Sequence, residues 1–214
     1  QRSEFSETKG LEWWVSDLWG HRGLQLLFRR LNELYKQTPA LWVKDNDPAG
    51  FRWINADDAD RNAYTWLRFA EAESDGYRPV VAVAANFAGS PHENVRVGLP
   101  HAGTWNEILN TDAQAYGGSG VGNLGSVVAE EIPWDGQPYS AEITMPPLGV
   151  VWFEPATRPD MTQVAAHTAT EQASGADSSS TATARQENTM SDQNAATSSS
   201  DKQPSEALIA GAPL

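Results

Sequence analysis

The sequence predicts a mainly β fold, an antiparallel β-sandwich that follows a single helix and precedes a disordered tail. A helical apolar repeat occurs once, early in the chain, and short strand-like runs separated by turn signals come after it. The aromatic residues then stop. All nine tryptophans lie between Trp13 and Trp152, and no Phe, Trp or Tyr follows Phe153.

The helix is predicted from Gly23 to Gln37, and Pro39 ends it because the residue before a proline is disfavoured in the helical region. Polar side chains occupy one face and apolar ones the other. The apolar stripe consists of Leu24, Leu27, Phe28, Leu31, Leu34 and Tyr35. A stripe this wide has to pack against another element, either the sandwich or a domain that is missing from this chain.

Eight runs with strand character follow the helix: GFRWIN, AYTWLRFA, PVVAVAANF, NVRVGL, TWNEILN, SVVAEEI, SAEITM and GVVWFE. Stretches rich in Gly, Pro, Asp and Asn separate them, among them DNDPAG, DDADRN and WDGQP. Many short strands at regular spacing are typical of a sandwich.

The last part of the chain, residues 157–214, is rich in Ser, Thr, Ala and Gln. It cannot bury enough apolar surface to offset an ordering entropy of about 1 to 2 kcal/mol per residue. We therefore expect this tail to be disordered and the folded unit to end near residue 156.

Composition excludes several functions. A net charge of −13 disfavours nucleic acid as a partner, and no apolar run approaches a membrane span. The absence of cysteine removes thiolate metal sites and fits a cytoplasmic location. The histidines lack the spacing of metal ligands, so we expect neither a metal nor a cofactor.

The stretch GVGNLG, residues 120–125, fits the glycine template of a dinucleotide-binding turn. That turn needs a strand before it and a helix after it. Here the downstream residues SVVAEEIPW predict a strand that soon meets Pro133. The sequence therefore argues against a nucleotide site.

Acidic and aromatic residues give two further expectations. Asp57, Asp58 and Asp60 fall between two strand-like runs, where Asp usually caps and turns the backbone. Four tryptophans lie in strand-like alternation and are expected in the core: Trp53, Trp66, Trp105 and Trp152. Trp13 and Trp14 are neighbours and cannot both face one core, so at least one is expected to be exposed or to face a partner.

The residues LEWW, HRGLQLLFRRLNELYKQTPALW, GFRWINADDADRNAYTWLRF, LNTDAQAYGGSGVGNLG and ITMPPLGVVWFEP together resemble the C-terminal part of 1,4-α-glucan (glycogen) branching enzymes, of the α-amylase superfamily. The resemblance extends from residue 1 to about residue 156. It makes the glycine run a loop of the C-terminal β-domain.

The resemblance implies three segments. Residues 1–38 would end a (β/α)8 catalytic barrel and include its last helix, residues 39–156 would form the all-β domain, and residues 157–214 the tail. The missing barrel would then cover the apolar stripe. The partners would be that barrel and an α-glucan such as glycogen.

The resemblance also implies a retaining transglycosylase whose catalytic carboxylates all lie on earlier barrel strands. No catalytic residue is therefore expected in this chain, and the chain alone should be inactive. Glu4, Trp13 and Trp14 would lie near the substrate. A different class of function also fits the sequence, a non-catalytic carbohydrate-binding β-module with a flexible tail.

Overall fold

The structure is a computed structural model that describes residues 6–159. Contacts divide the chain into two units, Gln1–Ala166 and His167–Leu214, and all the described residues belong to the first. Glu4 and residues 160–214 of the predicted disordered tail lie outside the described residues. The first three residues of that tail are described, and Arg158 among them pairs with Glu73 and Asp75, so ordered contacts extend beyond the predicted end of the folded unit near residue 156.

Within residues 6–159 there is a single α-helix, α1, which spans Trp19–Gln37. It begins four residues earlier than predicted, because Trp19 to Arg22 are helical although they do not extend the apolar repeat. It ends as predicted before Pro39: Thr38 is extended, with φ −113° and ψ 93°, and its N–H bonds the carbonyl of Leu34. Short 3₁₀ turns flank α1 at Trp13–Asp17 and Pro39–Leu41.

All eight predicted strands form. They are β1 Phe51–Asp58, β2 Ala63–Phe69, β3 Val80–Asn86, β4 His92–Leu99, β5 Gly103–Asn110, β6 Ser126–Ala129, β7 Tyr139–Met145 and β8 Gly149–Pro155. A six-stranded sheet has the order β1-β2-β3-β8-β5-β6, and β4 pairs with β7 in a second sheet. Every pairing is antiparallel, which confirms the predicted sandwich.

The main core lies between the two sheets, with Leu67, Trp105 and Val151 fully buried. A second cluster covers part of the outer face of the six-stranded sheet, where Val81 and Val83 pack with Ala40. Because β3 has apolar neighbours on both faces, every residue of it is buried.

The tryptophans predicted for the core have different environments. Trp105 is buried as predicted, and Trp66 and Trp152 are half-buried against the second cluster. The prediction for Trp53 is wrong, because it is 51% exposed. Trp53 lies on β1, the edge strand of the larger sheet, beyond the part of the outer face that the second cluster covers.

The glycine run forms a loop fixed by its own hydrogen bonds. Ser119 and Val121 donate backbone N–H groups to the carboxylate of Asp112, at 2.9 and 3.1 Å. Burial would raise the pKa of Asp112, but these bonds and that from the Ser119 hydroxyl hold it below its usual value. The loop leads into β6, so the predicted strand after the glycine run is confirmed.

Candidate functional site

Helix α1 has two apolar faces, whereas the sequence predicts a single apolar stripe. Leu34 is buried, with only 4% of its surface exposed, and Leu27 and Leu31 are half-buried beside it. Leu24 and Phe28 are 51% and 58% exposed. Half of the predicted stripe thus packs against the described chain itself, which corrects the expectation that a missing domain covers all of it.

The buried face of α1 lies on the loop that contains the glycine run. A Cβ atom at Gly23 would lie 2.3 Å from the carbonyl oxygen of Tyr116, so the backbones approach as closely as glycine allows. The ring of Trp19 packs beside Gly117. Further along the helix, Arg30 Nη2 donates to the Ile108 carbonyl at 3.2 Å.

The other face of α1 borders an open groove of about 580 Å³. Leu24 and Phe28 line it from the helix, and Leu11 and Trp13 line it from the preceding segment. These four side chains are between 51% and 74% exposed. An exposed apolar surface of this kind marks an interaction site.

Of the predicted substrate-proximal residues, two are described. Trp13 is 74% exposed and lines the groove, whereas Trp14, 49% exposed, does not line it. Both belong to the 3₁₀ turn before α1. The expectation that at least one of the pair would be exposed is confirmed, and their closeness to a substrate stays a prediction.

A row of exposed aromatic rings lies on the outer face of the six-stranded sheet. We define the aromatic row as Phe51, Trp53, Tyr64 and Phe87, which are 38% to 56% exposed. Neighbouring ring centroids are 4.9 Å apart for Phe51–Trp53, 6.2 Å for Trp53–Tyr64 and 5.7 Å for Tyr64–Phe87. The rings meet edge to face or tilted, with interplanar angles of 87°, 51° and 73°, so each ring supports the next while the faces point in different directions.

Strand pairing explains why the row forms. Trp53 is opposite Trp66, and Tyr64 is opposite Ala85, so alternate residues of β1, β2 and β3 share one face. The inner face of the same strands carries the core. The signal in the sequence was the spacing of two in FRW and YTW, which gives one aromatic face, but spacing does not show that the face is uncovered.

The aromatic row suits a ligand with flat, partly apolar faces. Exposed aromatic rings offer such a ligand a large contact area with little loss of side-chain entropy. A sugar ring presents C–H groups on its faces and hydroxyls at its edge. The row can therefore stack on a saccharide while the sugar hydroxyls remain in water.

Of the three aspartates at residues 57–60, Asp58 at the end of β1 has the structural role that was predicted. Asp58 accepts a hydrogen bond from the Arg61 backbone N–H and pairs with its guanidinium at 2.9 Å. Within residues 6–159, no three His, Cys, Asp or Glu side chains are placed to hold a metal ion. None of the helices in this range is both long and apolar enough to cross a membrane.

Comparison with protein families matches residues 53–156 to the alpha amylase C-terminal all-beta domain. This range begins in β1 and ends just beyond β8. It contains the aromatic row except for Phe51, and it contains the loop on which α1 packs.

Comparison with individual proteins finds a series of 1,4-alpha-glucan branching enzymes. That of Leifsonia xyli subsp. xyli is 51% identical over 154 residues, which are 72% of this chain and 20% of the relative. That of Cutibacterium acnes is 49% identical over 155 residues, 72% of this chain and 23% of the relative. That of Mycobacterium tuberculosis is 46% identical over 157 residues, which are 73% of this chain and 21% of the relative. The chain thus spans about one fifth of the length of these curated relatives.

Proposed function

We propose that this chain, which belongs to the C-terminal region of the 1,4-alpha-glucan branching enzymes, is part of an enzyme that builds α-1,6 branches into glycogen. The enzyme cuts an α-1,4-glucan chain and transfers it to a 6-hydroxyl of another glucan. Identity of about one half to branching enzymes over 154 residues is the observation that supports this proposal.

The structure suggests how the chain joins the rest of the enzyme. One face of α1 packs on the β-domain, while Leu24 and Phe28 on the other face remain exposed beside Trp13. A helix that is apolar on two sides fits between two domains. We assign residues 1–38 to the end of a catalytic (β/α)8 barrel, residues 39–156 to the C-terminal domain and residues 157–214 to a tail.

Catalysis in this proposal belongs to the barrel. A retaining transglycosylase needs a carboxylate nucleophile and an acid/base, and barrel enzymes hold such groups at the C-terminal ends of their strands. Neither group is assigned to this chain. Glu4, Trp13 and Trp14 lie near the glucan, and the whole enzyme works in the cytoplasm.

Branching activity tests the proposal directly. The complete protein that contains this chain should lower the absorbance of the amylose–iodine complex, since branching shortens the linear segments. The 214-residue chain alone should leave the spectrum unchanged. Branching by the chain alone would show that the carboxylates are here, and a complete protein that only hydrolyses amylose would refute the proposed activity.

The aromatic row favours a second function, a glucan-binding surface on the β-domain. Electrophoresis of the chain through gels with and without glycogen measures such binding. Trp53→Ala should weaken the retardation by glycogen. Trp42→Ala is the matched control, because Trp42 is similarly exposed at 42% but lies outside the row. Equal retardation of both variants would contradict a binding role for the row.

A further inference from the structure

A separate cavity of about 270 Å³ lies where one end of the β1–β2 hairpin meets β4. Its polar lining includes Asn55 and Asp58 from β1, Arg61 from the turn after it, and Asp135 from the loop between β6 and β7. Its floor is apolar, because Ala63, Val97 and Met145 belong to the main core. The branching proposal assigns no role to this cavity.

Irregular strands place the polar groups around the cavity. The register of β1 with β2 shifts on both sides of Asn55, and β4 has a shift between His92 and Val95. Such bulges turn side chains away from their regular directions and are frequent beside binding sites. At the bulge, the Asn55 N–H donates to the hydroxyl of Thr65 at 3.1 Å.

A tight turn holds Asp135 at the mouth of the cavity. Trp134 and Gln137 exchange two backbone hydrogen bonds, at 3.0 and 2.9 Å, across Asp135 and Gly136. Both central residues have positive φ, 49° and 70°, as a two-residue hairpin loop of type I′ requires. The turn also lies directly on β4, since a Cβ at Gly98 would be 2.2 Å from the Trp134 carbonyl oxygen.

The charges around the cavity balance. Asp58 forms an ion pair with Arg61 at 2.9 Å. Arg96 forms an ion pair with Glu142 at 2.8 Å and donates a hydrogen bond to the Ser140 hydroxyl at 3.0 Å. Partial burial, and then the negative charge of Asp58, raise the pKa of Asp135. The lining thus carries charges of both signs, and both arginines are already paired with carboxylates, so it favours neither an anion nor a cation and suits a neutral ligand with several hydroxyl groups.

We propose that this cavity binds one glucose unit at the end of an α-glucan chain, with the carboxylates of Asp58 and Asp135 accepting hydrogen bonds from its hydroxyls and the Asn55 amide donating to or accepting from them. Trp134, 47% exposed at the rim, covers one face of the sugar. Sites for drug-sized ligands have volumes of about 300 to 1,000 Å³, and the smaller volume here admits a single ring. The choice of glucose rests on the branching function proposed above.

Titration of the 214-residue chain with maltose, followed by backbone amide NMR, tests the inference. The shifted amides should include those of the Trp134–Gln137 turn and of Asn55 to Asp58. Asp135→Gly removes the carboxylate and keeps a residue that favours positive φ, and it should weaken maltose binding about tenfold. Asp57→Asn is the control: Asp57 lies on β1 next to Asp58, but its exposed carboxylate does not line the cavity, so this variant should bind maltose like the parent chain.

The outcomes separate this site from the other proposals. Binding that survives Trp53→Ala and fails in Asp135→Gly supports the cavity. Binding that fails in Trp53→Ala and survives Asp135→Gly overturns it in favour of the aromatic row, and the absence of any shift up to saturating maltose also overturns it. A chain that binds maltose in the cavity while the complete protein does not branch amylose would refute the branching proposal alone.

Discussion

Replacing Gly23 by alanine tests whether α1 packs against the Tyr116 turn, the short 3₁₀ turn Gln114–Tyr116 between β5 and β6. In most helix interiors this change stabilises the fold, because glycine is about 0.5 to 1 kcal/mol less favourable than alanine. At Gly23 the new Cβ would lie 2.3 Å from the carbonyl oxygen of Tyr116 and 2.6 Å from its carbonyl carbon. These are backbone atoms, so no side-chain rotation can relieve the clash.

The structure gives both the size of the effect and a control in the same helix. Overpacking costs about 1 to 3 kcal/mol, which outweighs the gain in helix propensity, so Gly23→Ala should lower stability by about 1 to 2 kcal/mol. A Cβ at Gly20 would meet nothing within 4 Å. Gly20→Ala should therefore be neutral or stabilising by a few tenths of a kcal/mol, since Gly20 lies in the first turn.

Thermal unfolding of the two variants, followed by circular dichroism, measures the difference. For a folded unit of this size, each kcal/mol corresponds to about 2 to 4 °C in Tm. We expect Gly23→Ala to melt a few degrees below the parent chain and Gly20→Ala at or slightly above it. If both variants gain stability equally, α1 does not lie against Tyr116, and the division of its surface into two faces is wrong.

Three further predictions concern solubility, pH and backbone strain. The double variant Leu24→Gln and Phe28→Gln should reduce light scattering by the chain with little change in Tm, because both side chains are exposed. Leu34→Ala, at a buried site, should instead lower the free energy of unfolding by about 2 to 5 kcal/mol. A large loss of Tm in the double variant would contradict this division. Burial lowers the pKa of His101 to about 4, below the 6.5 of an unfolded chain, so protonation favours the unfolded state. The stability that depends on neutral His101 should be fully present above about pH 6.5. The free energy of unfolding should fall by about 3 kcal/mol as the pH drops to 4. His101→Phe keeps a ring beside Trp105 and should remove this part of the pH dependence of Tm, and an unchanged slope would assign the dependence to other groups. Leu124 is fully exposed and has a φ of 54°, a conformation that asparagine tolerates better than leucine. Leu124→Asn should therefore raise Tm slightly. A lower Tm would show that the leucine side chain makes a stabilising contact.

Much of the fold could be predicted from the sequence because the signals are local. Alternation within runs such as AYTWLRFA and the Gly, Pro and Asp between them define the strands, and the sandwich follows from their number. The start of α1 could not be predicted, since Leu18 before it has no capping side chain and Trp19 continues no repeat. The bulges on either side of Asn55 depend on pairing between strands and leave no local pattern.

The candidate sites were harder to predict, because exposure depends on strand order. Trp53 and Trp66 both lie in regular alternation and share a face, yet Trp66 packs on the second cluster and Trp53 is exposed. Only the position of β1 at the sheet edge separates them. The stripe on α1 was likewise recognised as apolar, but its division between two faces requires the position of Tyr116 relative to Gly23.

The close packing of Gly23 against the backbone of Tyr116 affects where this protein can be divided into domains. A boundary drawn at residue 38 by family resemblance assigns α1 to the barrel, but α1 packs against the loop between β5 and β6 and shields part of it. A recombinant β-domain that starts at residue 39 would leave the Tyr116 turn and the surface under Leu34 open to solvent. We therefore expect a well-folded β-domain to require α1, and we expect swaps of C-terminal domains between homologous enzymes to succeed only when α1 and the glycine loop are exchanged together.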